Sequence, residues 1–328
     1  MIALASSRQT MRRLLRHVKS ALNRQLGGIA SYRARKSGKY WDREVRSQDQ
    51  DEYVYWLALT QVAQWVNRKV SGEPHIWHLS WFLLSLADKA PVKRALSVGC
   101  GAGNLEREVI RHESALHIDG IDVSSRSLEN AKALAAQAGY GERISYHLAD
   151  AESWLKQAAR GPGYDLIFFH ASLHHVEKLE EVLGLAATSL KGQPGLLYLD
   201  EYVGPSRNEW TAADLGYAAS LYARIPRHLR RSPELVPPIA LDDPTEMIRS
   251  SEIPDVLETC YDILKYRPYY GNILMPLVSG IPGRCVGDPA VSHFISKAME
   301  LEDFLIRERL IDPMYAVFVA RPKTGGPA

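Results

Sequence analysis

Cysteine is scarce in this chain: Cys100, Cys260 and Cys285 are the only three in 328 residues. Three scattered thiols support neither a disulfide framework nor a metal cluster, and they suit a reducing compartment. Long apolar runs are missing as well. The stretch WFLLSLA, at 81–87, falls far short of the roughly 20 residues that a bilayer crossing needs, so no transmembrane segment is expected. The sequence shows no internal repeats and no low-complexity stretches, which sets repeat architectures aside. One glycine is also missing where a dinucleotide fold would want it. In LSVGCGAGNLE, Leu96 to Glu106, the third glycine of a G-x-G-x-x-G turn is replaced by Asn104, which disfavours NAD and FAD as ligands.

What is present instead is G-x-G-x-G, with Gly99, Gly101 and Gly103 between a short apolar segment and a helical pattern. Such a turn leaves a strand sharply and lets backbone approach a ligand with no Cβ in the way. It suits a cofactor without phosphates. The landmarks downstream are ordered. LHIDGIDVS reads as a second strand ending at Asp122, where an acid can accept both hydroxyls of a ribose; the lesser reading is that Asp122, Ser124 or Ser125 only caps the following helix. RISYHLADAESW reads as a third strand ending at Asp150, and YDLIFFHASLHHV, Tyr164 to Val176, as an apolar fourth strand. SLKGQPGLLYLDEYVGP places Gly192 and Gly195 before a fifth strand, Leu196 to Leu199, that ends at Asp200 and Glu201.

From about 90 to 205 this ordered set resembles the class I S-adenosylmethionine (SAM)-dependent methyltransferases. The resemblance implies an α/β fold: a Rossmann-like, seven-stranded sheet with an N-terminal helical cap and substrate-binding insertions. It also implies SAM as cofactor, held by Gly99, Gly101, Gly103, Asp122, Val123, Asp150, Ala151 and His170, with the fourth strand delivering groups next to the transferred methyl. Cys100, inside the loop, reads as a small packing residue. The chain divides into a basic segment at 1–43, a helical cap at 44–90, the SAM-binding core at 91–204, and insertions and closing strands of the same domain at 205–328.

The formal net charge of +2 conceals an asymmetry. Residues 1–43 hold 11 Lys and Arg against Asp42 alone and carry +10, whereas the remainder carries −8. In the basic segment Met11, Leu15, Val18, Leu22 and Leu26 recur at helical spacing among Arg12, Arg13, Arg16, Lys19 and Arg24. This amphipathic helix is open to three readings: contact with an anionic membrane surface, a solvated or core-packed helix, or a transit peptide. Nucleic acid is not expected as a partner, because the acidic body offers no basic groove. The expected location is cytoplasmic, with peripheral contact at the inner face of the membrane.

Asp51 to Val70 reads as one amphipathic helix ended by Gly72, and Ile76 to Asp88 as a second. Tyr40 and Trp41 resemble a KYWD-type stretch of some bacterial methyltransferases, where such residues close over the cofactor. Beyond the core, VGPSR, RSSEI and PYYG-like segments resemble methyltransferases that bacteria encode beside genes for cell-surface polysaccharide synthesis. YDILKYRPYYG reads as a sixth strand with an aromatic turn, Val291 to Arg309 as the last helix, and Tyr315 to Ala320 as the closing strand.

Methyl transfer to a hydroxyl needs a positioned acceptor and a group that takes its proton. His174 and His175 are the candidate bases, because imidazole titrates near neutral pH, and Glu201 is the next. His170 and His174 have the i, i+4 spacing of a metal pair, but that spacing works only on a helix, and His170 ends a strand, so no metal is expected. Tyr202, Arg207, Trp210, Tyr217, Tyr269 and Tyr270 are the candidate acceptor contacts, with aromatic faces suited to a sugar or an aromatic ring. The fourth strand ends in HASL and lacks the Asn/Asp-Pro-Pro-Tyr/Phe run of many nucleobase amine methyltransferases. The reading is therefore O-methylation of a carbohydrate or lipid-linked glycan. The alternatives are a small-molecule enzyme for phenols or polyketides and a non-catalytic methyltransferase-like interaction module.

Overall fold

A computed structural model describes residues 36–42 and 54–323; the amphipathic pattern at 11–26 lies outside them. Seven strands form one sheet: β1 (Val92–Val98), β2 (Ala115–Asp122), β3 (Ile144–Leu148), β4 (Leu166–His170), β5 (Leu196–Tyr202), β6 (Tyr261–Tyr269) and β7 (Tyr315–Pro322). Their order is β3-β2-β1-β4-β5-β7-β6. β1 to β5 run parallel, and β7 inserts antiparallel between β5 and β6.

The central strands are buried on both faces, so they read as nearly continuous apolar runs. Period-two alternation then sorts their side chains. Leu166, Phe168, Leu196 and Tyr198 pack on one face, with Val62, Val66 and Phe82 of the N-terminal helices and Leu277, Val291 and Ile295 of the C-terminal ones. Ile167, Phe169, Leu197 and Leu199 pack on the other, under Leu155, Leu183 and Leu257.

Several expected boundaries shift, each for a local reason. The expected helix from Asp51 becomes a 3-10 turn, Trp56–Ala58, followed by a helix at Thr60–Ser71. Gly72 ends that helix in the left-handed region (φ +90°), which an L side chain adopts only under strain. The second helix shortens to His78–Leu84. β3 stops at Leu148, because Asp150 turns out of the sheet to cap the helix Ala151–Ala158 and accepts from the Ser153 N–H at 2.9 Å. β4 stops at His170, and the residues behind it form a 3-10 turn, Leu173–His175. β5 runs on through Tyr202, because β7 keeps pairing with it as far as Tyr315, so Asp200 and Glu201 lie within the strand.

The strand order reverses between β1 and β4. Open α/β sheets bind ligands in the crevice at such a switch point, outside the carboxyl ends of the strands.

Candidate active site

A cavity of about 620 Å³ opens at that switch point, over the ends of β1, β2 and β4. Its floor is the glycine loop. Gly99, Gly101 and Gly103 have φ of +72°, +51° and +77°, a region that L residues avoid. Gly99 and Gly101 face the cavity, and Gly103 does not. A Cβ on Gly103 would collide with the Tyr146 hydroxyl, so its smallness serves the packing of the helix Asn104–Arg111 against β3.

Asp122 closes the loop from the side. Its Oδ2 accepts from the Gly101 N–H at 2.9 Å and its Oδ1 from the Ser124 N–H at 2.8 Å, and burial raises its pKa. Val123, Asp150 and Ala151 continue the wall. Cys100 also lines it, with its thiol pKa pushed up by burial, as fits a packing residue.

Residues 36–42 form a short helix across the mouth. Asp42 accepts from Ser124 Oγ at 2.7 Å and from the Arg126 N–H at 3.1 Å. Ser37 donates to Asp243 Oδ2 at 3.0 Å, and a Cβ on Gly38 would lie 2.5 Å from the Val123 carbonyl oxygen. Trp41 thereby reaches the cavity and meets His175 edge-on at 5.9 Å.

His170 is the polar centre of the opposite wall. Its Nδ1 is sealed from solvent and lies 3.0 Å from Asp200 Oδ2, a charge contact without hydrogen-bond geometry. The side chain is still 35% exposed, so its open edge faces the cavity. Trp77 stands edge-on to it at 5.8 Å. Asp200 also contacts His78 Nε2 at 2.5 Å and accepts from the Tyr269 hydroxyl at 2.6 Å. Burial alone would raise the Asp200 carboxyl, but the His78 and His170 imidazoles more than offset it and hold the group well below the usual range. Burial would likewise lower His170, and the contact with Asp200 lifts it above the ordinary imidazole value. Between β4 and its turn, Ala171 takes φ +50°, an unfavourable conformation of the kind that clusters at functional sites.

The candidate bases fall in different places. His175 lines the cavity; burial and the neighbouring His174 push its pKa well down. His174 turns inward, with Nδ1 2.8 Å from Glu201 Oε2. Glu201 is fully buried and stays off the cavity. Its Oε1 accepts from the N–H groups of Ser172 and Leu173, both at 2.5 Å, so this carboxylate fixes the turn behind β4.

None of the six expected acceptor contacts lines the cavity. Tyr202, Tyr269 and Tyr270 are core residues. Tyr202 donates to the Pro205 carbonyl, and Tyr270 donates to Asp303 and stacks on Trp65 with ring centroids 3.6 Å apart. Trp210 packs half-buried against the core, Tyr217 is exposed elsewhere, and Arg207 donates to the Asp243 carbonyl. The aromatic faces that do reach the cavity are Trp41 and Trp77. Sequence reasoning left out Trp77, His78 and Thr245. The Trp77–His78 pair at the head of an apolar helix is the signal that was available for the first two.

Residues 90–247, slightly less than half the chain, match the sequence profile of a family described as a methyltransferase domain. The chain is 32% identical over 119 residues to the malonyl-(acyl-carrier protein) O-methyltransferase of Brevibacillus brevis, covering 36% of this chain and 41% of that protein. It is 32% identical over 90 residues to the trans-aconitate 2-methyltransferase of Streptomyces avermitilis, covering 26% and 32%. The chain thus spans only a third to two fifths of these relatives' lengths. Among solved structures, the geranyl diphosphate C-methyltransferase of Streptomyces coelicolor A3(2) aligns over 89% of this chain and 98% of that one, at 11% identity and a TM-score of 0.49. A likeness of that size adds no argument to the sheet order and register. The glycine cradle, Asp122 and Asp150 at one cavity fit the adenosyl and amino-acid parts of SAM. Residues 90–247 are therefore similar to a methyltransferase domain and form the parallel part of a Rossmann-like sheet, with further helices and two strands of the same sheet completing it.

Proposed function

We propose that this chain is a SAM-dependent O-methyltransferase acting on a hydroxyl of a carbohydrate or lipid-linked glycan, with His170 as the base. The observation that carries the proposal is the His170–Asp200 contact at the end of β4, with the free edge of the imidazole on the cavity. Bound SAM supplies an electrophilic methyl group on a sulfonium. The chain's part is to orient the acceptor and take its proton. The buried Asp200 carboxylate, 3.0 Å from Nδ1, stabilises the imidazolium that forms when Nε2 accepts the hydroxyl proton. Trp41 and Trp77 offer apolar faces on which a sugar ring can lie.

In this reading Glu201 positions the turn behind β4 and takes no proton, since both its oxygens are engaged. The basic segment 1–43, at +10, brings the enzyme to an anionic membrane surface, where lipid-linked acceptors reside.

The test is acceptor profiling with labelled SAM across sugars, lipid-linked glycans and phenols. Methylated glycan, lost in His170→Asn while S-adenosylhomocysteine still binds, is the expected result. Methylation of phenols alone would replace the glycan reading with the small-molecule one.

A further inference from the structure

Beside the cavity, three side chains of metal-ligating type converge. His174 and His175 belong to the turn Leu173–His175, and Glu246 to the segment that follows Asp243. One ligand atom from each lies within 4.8 Å of the other two. We infer that His174, His175 and Glu246 form a binding site for a divalent transition-metal ion such as zinc or cobalt(II).

The orientation of the two rings carries the argument. His174 Nδ1 is taken by Glu201 at 2.8 Å. His175 Nδ1 lies 3.1 Å from Thr245 Oγ1 and 3.5 Å from Asp243 Oδ2. Each ring therefore keeps Nε2 for another partner, and His175 Nε2 lies 3.9 Å from Glu246 Oε2. Metal-bound histidines are held in this way, with the second nitrogen on a carboxylate or a similar acceptor. The holders are themselves fixed. Glu201 accepts from the Ser172 and Leu173 N–H groups, and Asp243 accepts from the Thr245 N–H and hydroxyl and from Ser37. The Ile248 N–H donates to the His174 carbonyl at 3.1 Å and ties the two segments together.

Glu246 is the adjustable member. Its side chain is 13% exposed, and no hydrogen bond reaches its carboxylate among the described residues. Ligand atoms sharing one zinc-sized ion sit about 3 to 3.5 Å apart, so binding draws this carboxylate inward by roughly an ångström. Two imidazoles and one carboxylate favour zinc, iron(II), cobalt(II) or nickel(II) over magnesium or calcium, which take oxygen ligands. Three protein ligands leave a position open, and one of the three, His175, lines the cavity. The expectation of no metal rested on the three scattered cysteines and on the spacing of His170 and His174; the proposed partners are instead the adjacent histidine and a carboxylate some seventy residues away.

The inference does not depend on the acceptor or on methyl transfer, and its test reads the metal directly. Tag-free full-length protein is stripped with a chelator and titrated with cobalt(II), followed by visible absorption, and then with zinc in competition. One ion per chain is expected, with the cobalt spectrum displaced by zinc. Glu246→Gln and His174→Ala should weaken binding by roughly ten-fold to a hundred-fold, while His293→Ala, on the helix Pro289–Arg307, leaves it unchanged. Glu246→Gln is nearly isosteric, and unchanged S-adenosylhomocysteine binding would show that the variant is folded. Wild-type protein that gives no saturable cobalt spectrum, or a folded Glu246→Gln that binds as tightly as wild type, would overturn the site.

Discussion

Asp122 holds the Gly101 and Ser124 N–H groups and lines the cavity. Asp122→Ala should weaken S-adenosylhomocysteine binding at least tenfold by calorimetry, because a hydrogen bond to a charged group contributes about 1.5 to 3 kcal/mol; unchanged affinity would remove it from the site. For His170 the expected signature is kinetic. His170→Asn should lower kcat by roughly a hundred-fold or more and leave S-adenosylhomocysteine affinity within a few-fold. Because Asp200 raises the His170 pKa above its ordinary value of 6.5, the base is protonated and idle at low pH. The acid limb of kcat/KM should then have its midpoint above pH 6.5, and a rate that stays flat from mildly acidic to mildly basic pH would contradict His170 as base. The positive-φ glycine turn and the place of Asp122 at a strand end were legible because both follow from local sequence pattern. The tyrosines were not, because strand pairing decides whether a ring at a sheet edge faces a pocket or the core, and β7 carried Tyr202 and Tyr269 inside.

The helix Asn104–Arg111 buries Glu106 completely. Burial raises this carboxyl from 4.5 to about 7. The folded state therefore keeps a proton that the unfolded chain releases between these two values, and stability falls as pH rises from about 4.5 to 7. Glu106→Gln removes that penalty. Its Tm should exceed the wild-type value by more at mildly basic pH than at mildly acidic pH, with a change on the order of 3 kcal/mol across the window. A difference independent of pH would contradict the assignment. Glu302, also fully buried and raised to about 7, keeps part of the slope in the variant. Element types followed from periodicity, including the antiparallel closing strand as a strand; ends did not, because caps such as Asp150 and pairing such as β5 with β7 set them.

Across the whole molecule, the sheet supplies the cavity and the segment 36–42 closes it. Trp41→Ala, with the Asp42 and Ser37 contacts left in place, should weaken S-adenosylhomocysteine binding several-fold without lowering Tm appreciably. If the basic segment serves a membrane surface, removing residues 1–30 should abolish sedimentation with anionic vesicles and preserve cofactor affinity; equal sedimentation of both forms would refute that role. No helix among the described residues is long and apolar enough to cross a membrane, so any helical span would lie outside them. The glycine loop and its acids could be placed at one cavity because they fall in a fixed order along the chain. The acceptor side was not, since Trp41, Trp77, His170 and Thr245 come from four separate segments that only the fold assembles. The sharpest check on the SAM site is calorimetric titration of the full-length protein with SAM and S-adenosylhomocysteine. Micromolar binding of both at one site per chain, weakened together by Asp122→Ala, is the result expected; a folded protein that gives no heat with either would contradict it.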